Sequence, residues 1–201
     1  MRKSLYSLAM VFVFALLLVD SHGYGEGYKA SRSLFPFKVG QTFTFDVKDG
    51  VGSTWEYKTV ASGTARISLN DQKYYIIESL GYESPEDFNM ALVRSVSKKV
   101  YIYSGSGEET LVLQNAPVGT TWTYEDSDGR TIERTIEAIE TVTVPAGTFE
   151  GCLKFFHKCI SCNPPVEFTR EWIKPGFGMV KEIDYYTDNP PKTKELKSRT
   201  K

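Results

Sequence analysis

The chain has 201 residues, with 24 Lys and Arg against 25 Asp and Glu and a formal net charge of −1. That is one domain's worth of chain, able to bury roughly 70% of its unfolded surface without a metal or disulfides to hold a core. The even charge balance argues against nucleic-acid binding, which needs a concentrated basic face.

Residues 1–25 read as a secretory signal peptide. Arg2 and Lys3 form a positive start, Leu5 to Val19 is a mostly apolar run too short to span a membrane comfortably, and Ser21, Gly23 and Gly25 are small. Cleavage after Gly23 or Gly25 is expected, and with it a periplasmic or secreted protein. No cysteine precedes Cys152, so lipid attachment near the cleavage site is unsupported, and no later apolar run is long enough to cross a bilayer.

Alternation dominates from there on. Phe43, Phe45 and Val47 fall on one side of a strand, Thr42, Thr44 and Asp46 on the other. Trp55-Tyr57-Thr59, Tyr74 to Glu78 and Val100 to Tyr103 alternate in the same way. Ser84-Pro85-Glu86-Asp87 offers an N-cap, a first-turn proline and acids, and Phe88 and Leu92 follow one turn apart, which predicts one short helix. Ser104 to Glu109 reads as a loop. Trp122 and Tyr124 then alternate with Thr121, Thr123 and Glu125. Thr131 to Val144 fits a strand better than a helix because of its threonines and its Val-Thr-Val-Pro ending. Leu153-Phe155-His157, Val166-Phe168-Arg170-Trp172 and Met179 to Tyr186 complete the strands. The tail from Thr187, proline-bearing and basic, is expected to be disordered.

One pattern occurs twice. Val39-Gly40-Gln41-Thr42-Phe43-Thr44-Phe45-Asp46 returns 79 positions later as Val118-Gly119-Thr120-Thr121-Trp122-Thr123-Tyr124-Glu125, and Asp49-Gly50 returns as Asp128-Gly129. At the same offset Tyr74 to Ile77 meets Leu153 to Phe156, Ser84-Pro85 meets Asn163-Pro164, and Val100-Tyr101 meets Met179-Val180. A fixed-offset echo signals a duplicated supersecondary unit. The expectation is a single β domain over 26–186, with one repeat over about 35–104 and the other over about 115–186, followed by a disordered 187–201. The fold class is all-β: an antiparallel sandwich or curved half-barrel built from two tandem halves, with at most one short helix.

Residues with chemistry are few. Cys152, Cys159, Cys162 and His157 lie close together, but Cys152 and His157 are an odd number apart and should face opposite sides of one strand. Cys159-Ile-Ser-Cys162 lacks the histidine of a haem motif and the βαβ setting of a thioredoxin motif. A disulfide between Cys159 and Cys162 suits an exported hairpin loop, leaving Cys152 as a buried thiol. His157 is the only histidine beyond residue 25, so sites built on several histidines are excluded, and any Ser-His or Cys-His chemistry would have to use it. No nucleophile elbow, phosphate-binding glycine loop or His-Glu-x-x-His motif occurs. Arg134 and Glu140 interrupt an apolar face, as edge positions, a buried ion pair or cavity-lining groups. Phe43, Phe45, Trp122, Tyr124, Phe155, Phe168 and Trp172 either fill a core or line an apolar groove for a lipid-like ligand.

Three stretches resemble a widespread group of exported bacterial proteins of unknown function. Phe35-Pro36-Phe37-Lys38-Val39-Gly40 with Phe43-Thr44-Phe45 resembles its opening FPLxxGxxWxY. Val144-Pro145-Ala146-Gly147-Thr148-Phe149-Glu150-Gly151-Cys152 resembles its middle VPAGTFxxC, and Trp172 to Lys181 its closing WxxPGxGxVK. The resemblance implies an exported β-rich fold and no catalytic residues; the Cys159/Cys162 loop is not part of it. The expected function is an exported, non-enzymatic β-domain protein with a binding or envelope-associated role, its partner an envelope protein or an apolar small molecule, without cofactor or metal. A carrier of a lipid or other apolar small molecule is the alternative, and an enzyme using His157 the third.

Overall fold

The computed structural model describes residues 33–200 apart from 69, 83, 104–108, 127 and 163–167. The expected signal peptide, most of the Ser104–Glu109 loop and Asn163-Pro164 lie outside them. Twelve strands form one antiparallel sheet: β1 (Thr42–Lys48), β2 (Thr54–Ile67), β3 (Gln72–Leu80), β4 (Phe88–Val96), β5 (Lys99–Tyr103), β6 (Glu109–Gln114), β7 (Thr121–Glu125), β8 (Thr131–Val144), β9 (Gly147–Cys159), β10 (Phe168–Lys174), β11 (Gly178–Tyr185) and β12 (Lys192–Arg199). The order across the sheet is β6-β5-β4-β3-β2-β1-β12-β11-β10-β9-β8-β7. The sheet curls into a nearly closed barrel, with β6 and β7 as its two free edges.

The two copies of the repeated motif make matching hydrogen bonds. Gly40 N–H donates to Ala61 C=O and Gly119 N–H to Ile136 C=O, both at 2.8 Å, and both glycines have positive φ. Only glycine takes that conformation without steric cost. The first bulge of β2 lies between Ala61 and Gly63 opposite Ile77 and Ile76, and its counterpart in β8 lies between Ile136 and Ala138 opposite Phe155 and Lys154. The turns that follow the repeated motif match as well, although not at the expected offset. Asp49 accepts from Val51 and Ser53 through Oδ1, just as Asp126 accepts from Asp128 and Arg130, and Gly52 occupies the place of Gly129. The Asp49-Gly50 match to Asp128-Gly129 is therefore two positions out of structural register.

Two expectations give way here. Ser84–Asp87 forms a turn, with Asp87 N–H donating to Ser84 C=O at 3.1 Å, and Phe88 opens β4 opposite Leu80. An isolated two-turn helix cannot compete with a strand hydrogen-bonded on both edges. The tail is no disordered appendage either. Lys192–Arg199 is β12, inserted between β1 and β11 in the middle of the sheet. It gives each half six strands: β1 to β6, then β7 to β12.

The core runs along the inner face. Phe45, Tyr57, Ile77, Val93, Val100 and Leu113 are buried there in the first half, and Leu34 and Phe35, ahead of β1, join them. The second half buries charge on its inner face.

Candidate functional site

Alternation places one charged or polar side chain after another on the inner face of β8 to β12. Arg134 pairs across strands with His157, Glu171 with Glu182, Glu182 with Lys194, and Asp184 with Lys192. The Arg134 guanidinium donates to both Glu171 oxygens at 3.2 Å. His157 Nδ1 lies 3.2 Å from Glu171 Oε1 but off the line a hydrogen bond requires, so this contact is electrostatic. Lys194 bonds Glu182 and, at 3.0 Å, Asp184; Thr169 Oγ1 donates to Asp184 at 2.8 Å and Tyr82 OH to Glu182 at 3.2 Å. The Lys194 ammonium sits 3.3 Å from the centre of the Tyr82 ring. Tyr82 comes from the first half, so the network ties the two halves together.

Burial and neighbours set the charges. Burial, then Arg134, holds His157 below its ordinary value, which keeps it neutral. Burial pushes the carboxyls of Glu171 and Asp184 up, but the cations beside them outweigh it and both end below the usual range: Arg134 for Glu171, Lys194 and Lys192 for Asp184. Burial raises Glu182 to about 8 against the pull of Lys194.

A histidine, a carboxylate and an arginine in contact are the elements of acid–base chemistry, but here they are sealed. Arg134 is 1%, His157 3% and Glu171 0% exposed. Neither the cavity lined by Phe43 and Tyr57 nor the cleft lined by Trp55 and Lys192 includes them, and among the described residues no three His, Cys, Asp or Glu side chains are grouped as metal ligands. Of the readings open for Arg134, the buried ion pair is the one found. Glu140 instead lies on the outer face, where its carboxylate binds Lys154 and accepts the Trp172 indole N–H at 2.7 Å.

The seven aromatics do not line one groove. Phe43 and Phe45 border a cavity of about 30 Å³ beside Tyr57 and Met179, room for little more than a water molecule. Trp122 and Phe155 meet edge to face at 6.3 Å elsewhere on the inner face, with Tyr124 near Arg134. Phe168 and Trp172 lie on the opposite face from His157, Trp172 buried against Glu140 and Lys154; Phe168 stacks on Tyr185 at 4.5 Å, and the Arg170 guanidinium lies over both rings while its Nε donates to Glu137 at 2.9 Å. A larger, open cleft of about 230 Å³ lies at the barrel mouth between Asp49, Trp55, Tyr186, Asn189 and Lys192.

The three stretches that carry the resemblance converge. Phe35 and Phe43 from the first, Phe149 from the second and Phe177 from the third form one aromatic cluster, with Phe43–Phe177 at 5.9 Å and Phe149–Phe177 at 4.9 Å. A side chain at Gly178 would fall 2.5 Å from the Phe35 ring, so glycine is required there. Their role in this chain is packing.

A disulfide joins Cys159 and Cys162 just past β9, with Cα atoms 5.6 Å apart. Cys152 is buried and free, its thiol pushed up to about 11 by burial. The residues missed from sequence are Glu171, whose alternation with apolar neighbours suits a solvated strand face, and Glu182, Asp184, Lys192 and Lys194. In Met179 to Tyr185 either alternating face could have been the inner one, and the buried Val180 was the one signal for the even positions.

A family model described as DUF3108-like matches residues 121–200, which is the second six-strand half. No curated protein matches the chain. Two solved structures share the fold. One is a protein from Bacteroides fragilis described as exported and YmcC-like in fold, 14% identical, covering 85% of this chain and 100% of that one with a TM-score of 0.57. The other is a protein from Parabacteroides distasonis described as a lipoprotein, 13% identical, covering 84% and 99% with a TM-score of 0.52.

Proposed function

We propose that this chain is an exported, non-enzymatic β-domain protein that works in the envelope by binding another protein through its surface. The packing of the inner face carries this reading: the cavity bordered by Phe43 and Phe45, about 30 Å³, holds no acyl chain, and the histidine that any hydrolytic chemistry would need is 3% exposed. The pattern of residues 1–25 and the exported and lipoprotein descriptions of the two fold relatives support the compartment. Titration of the protein with a fluorescent fatty acid tests the reading. No saturable binding is expected; one-site saturation would favour the carrier and overturn the surface binder.

A further inference from the structure

One seam of the barrel is a template for the other. β1 opens the first half and pairs with β12, the last strand of the second. By the same relation β7 would pair with β6, yet among the described residues no ladder joins them. The backbone of β7 is nonetheless set up for a partner. Gln41 C=O accepts from Ala61 on β2, and Thr120 C=O accepts from Ile136 on β8; the next carbonyl, Thr42, turns the other way and accepts from Thr200 at 2.9 Å. Carbonyls alternate sides along a strand, so Thr121, Thr123 and Glu125 turn their backbone groups toward the open seam.

The side chains carry the same signature. Phe43 and Phe45, covered by β12, are 6% and 1% exposed. Their counterparts Trp122 and Tyr124 are only half-buried, and the Trp122 Nε1 has no hydrogen-bond partner among the described residues. Unpaired edges of this kind are where extended peptides add to sheets.

We infer that the seam between β6 and β7 accepts one extended, basic segment of a partner protein, added antiparallel to β7 as β12 is added to β1. This deepens the surface-binding reading and rests on it. The chemistry of the occupant is read from β12. Leu196 lies opposite Phe45, Lys197 Nζ is 3.0 Å from Asp46, and the Arg199 guanidinium is 5.2 Å from the Phe43 ring centre. β7 offers Tyr124, Glu125 and Trp122 at the matching places, and Glu133, opposite Thr123 on β8, adds a second carboxylate. Tryptophan is the better face for an arginine. The occupant therefore carries a leucine-like residue, a lysine beside it, and an arginine three positions after the leucine.

A labelled peptide copying residues 191–200 is the probe, titrated by fluorescence anisotropy against the full exported chain. Saturable 1:1 binding is expected, absent for a scrambled peptide. Thr123→Pro removes one seam-facing N–H while leaving the β8 ladder intact, and should weaken binding about tenfold or more. Glu125→Lys, at an exposed position, should weaken it comparably and serves if the proline variant fails to fold. No saturable binding overturns the inference. So does binding indifferent to both variants, which would mean exchange with β12 at β1, and so does a dimer that either variant dissolves, which would put a second copy in the seam. The fatty-acid titration is untouched by any of these results, so the two readings fail separately.

Discussion

At the scale of single residues, the two halves differ most where small side chains in the first stand opposite polar or charged ones at matching positions of the second. Register aligns Arg134 with Thr59, His157 with Ser79 and Glu171 with Ala91, because Trp122–Arg134–His157 and Phe43–Thr59–Ser79 occupy matching cross-strand positions, as do Phe155–Glu171 and Ile77–Ala91. Desolvating such groups costs several kcal/mol each, and good geometry does little more than offset it. Their pH dependence is testable. Glu182 is raised from 4.5 to about 8 in the folded protein, so its stabilising proton is lost as pH rises between those values. His157 is lowered from 6.5, so it favours folding above 6.5 and its contribution falls away below. From about pH 7.5, a unit above the ordinary histidine value, to 8 the Glu182 slope stands alone, and stability should fall. Urea denaturation should show that fall in the wild type and a flattened profile in Glu182→Gln; an equal fall in both would show that Glu182 does not titrate there. None of this was legible in Lys181-Glu182-Ile183-Asp184-Tyr185, where either face of the strand could have been the outer one. The cations that make burial tolerable lie on a segment that looked too polar to be ordered.

At the scale of strands, that segment is the main lesson. The alternation in β1, β7 and β8 was readable because one face is aromatic or branched and the other rich in threonine and charge. β12 offers a single apolar inner residue, Leu196, with Lys192 and Lys194 on the same face. Lysine is almost never fully buried unless paired, and the pairing partners come from β11, so the strand is visible only in three dimensions. The helix expected at Ser84 failed for a related reason, since local capping signals carry no knowledge of β3 and β5 on either side. A chain ending at Tyr186 should therefore not fold cooperatively. It would lose the strand joining the halves and leave Asp184 and Glu182 buried without Lys194. Circular dichroism of the truncated chain tests this; a cooperative melt near that of the full chain would return the segment to the status of a tail.

At the scale of the whole molecule, two six-strand sheets share one interior, apolar in the first half and ionic in the second. They are zipped along β1–β12 and, among the described residues, carry no ladder along β6–β7. A duplicated sheet could have closed around an empty interior. This one is filled by Phe35, Phe43, Phe45 and Tyr57 at one place and by the Arg134–Glu171 and Lys194–Glu182 pairs at another. The repeat and the signature stretches gave away the architecture, while the contents of the interior depended on which polar residues found partners across strands. The most direct test is native mass spectrometry of the protein purified from its own envelope. The mass should correspond to the chain beginning after Gly23 or Gly25, alone or with a protein partner. A stoichiometric lipid or other apolar small molecule retained on the chain would contradict a filled interior and the function drawn from it.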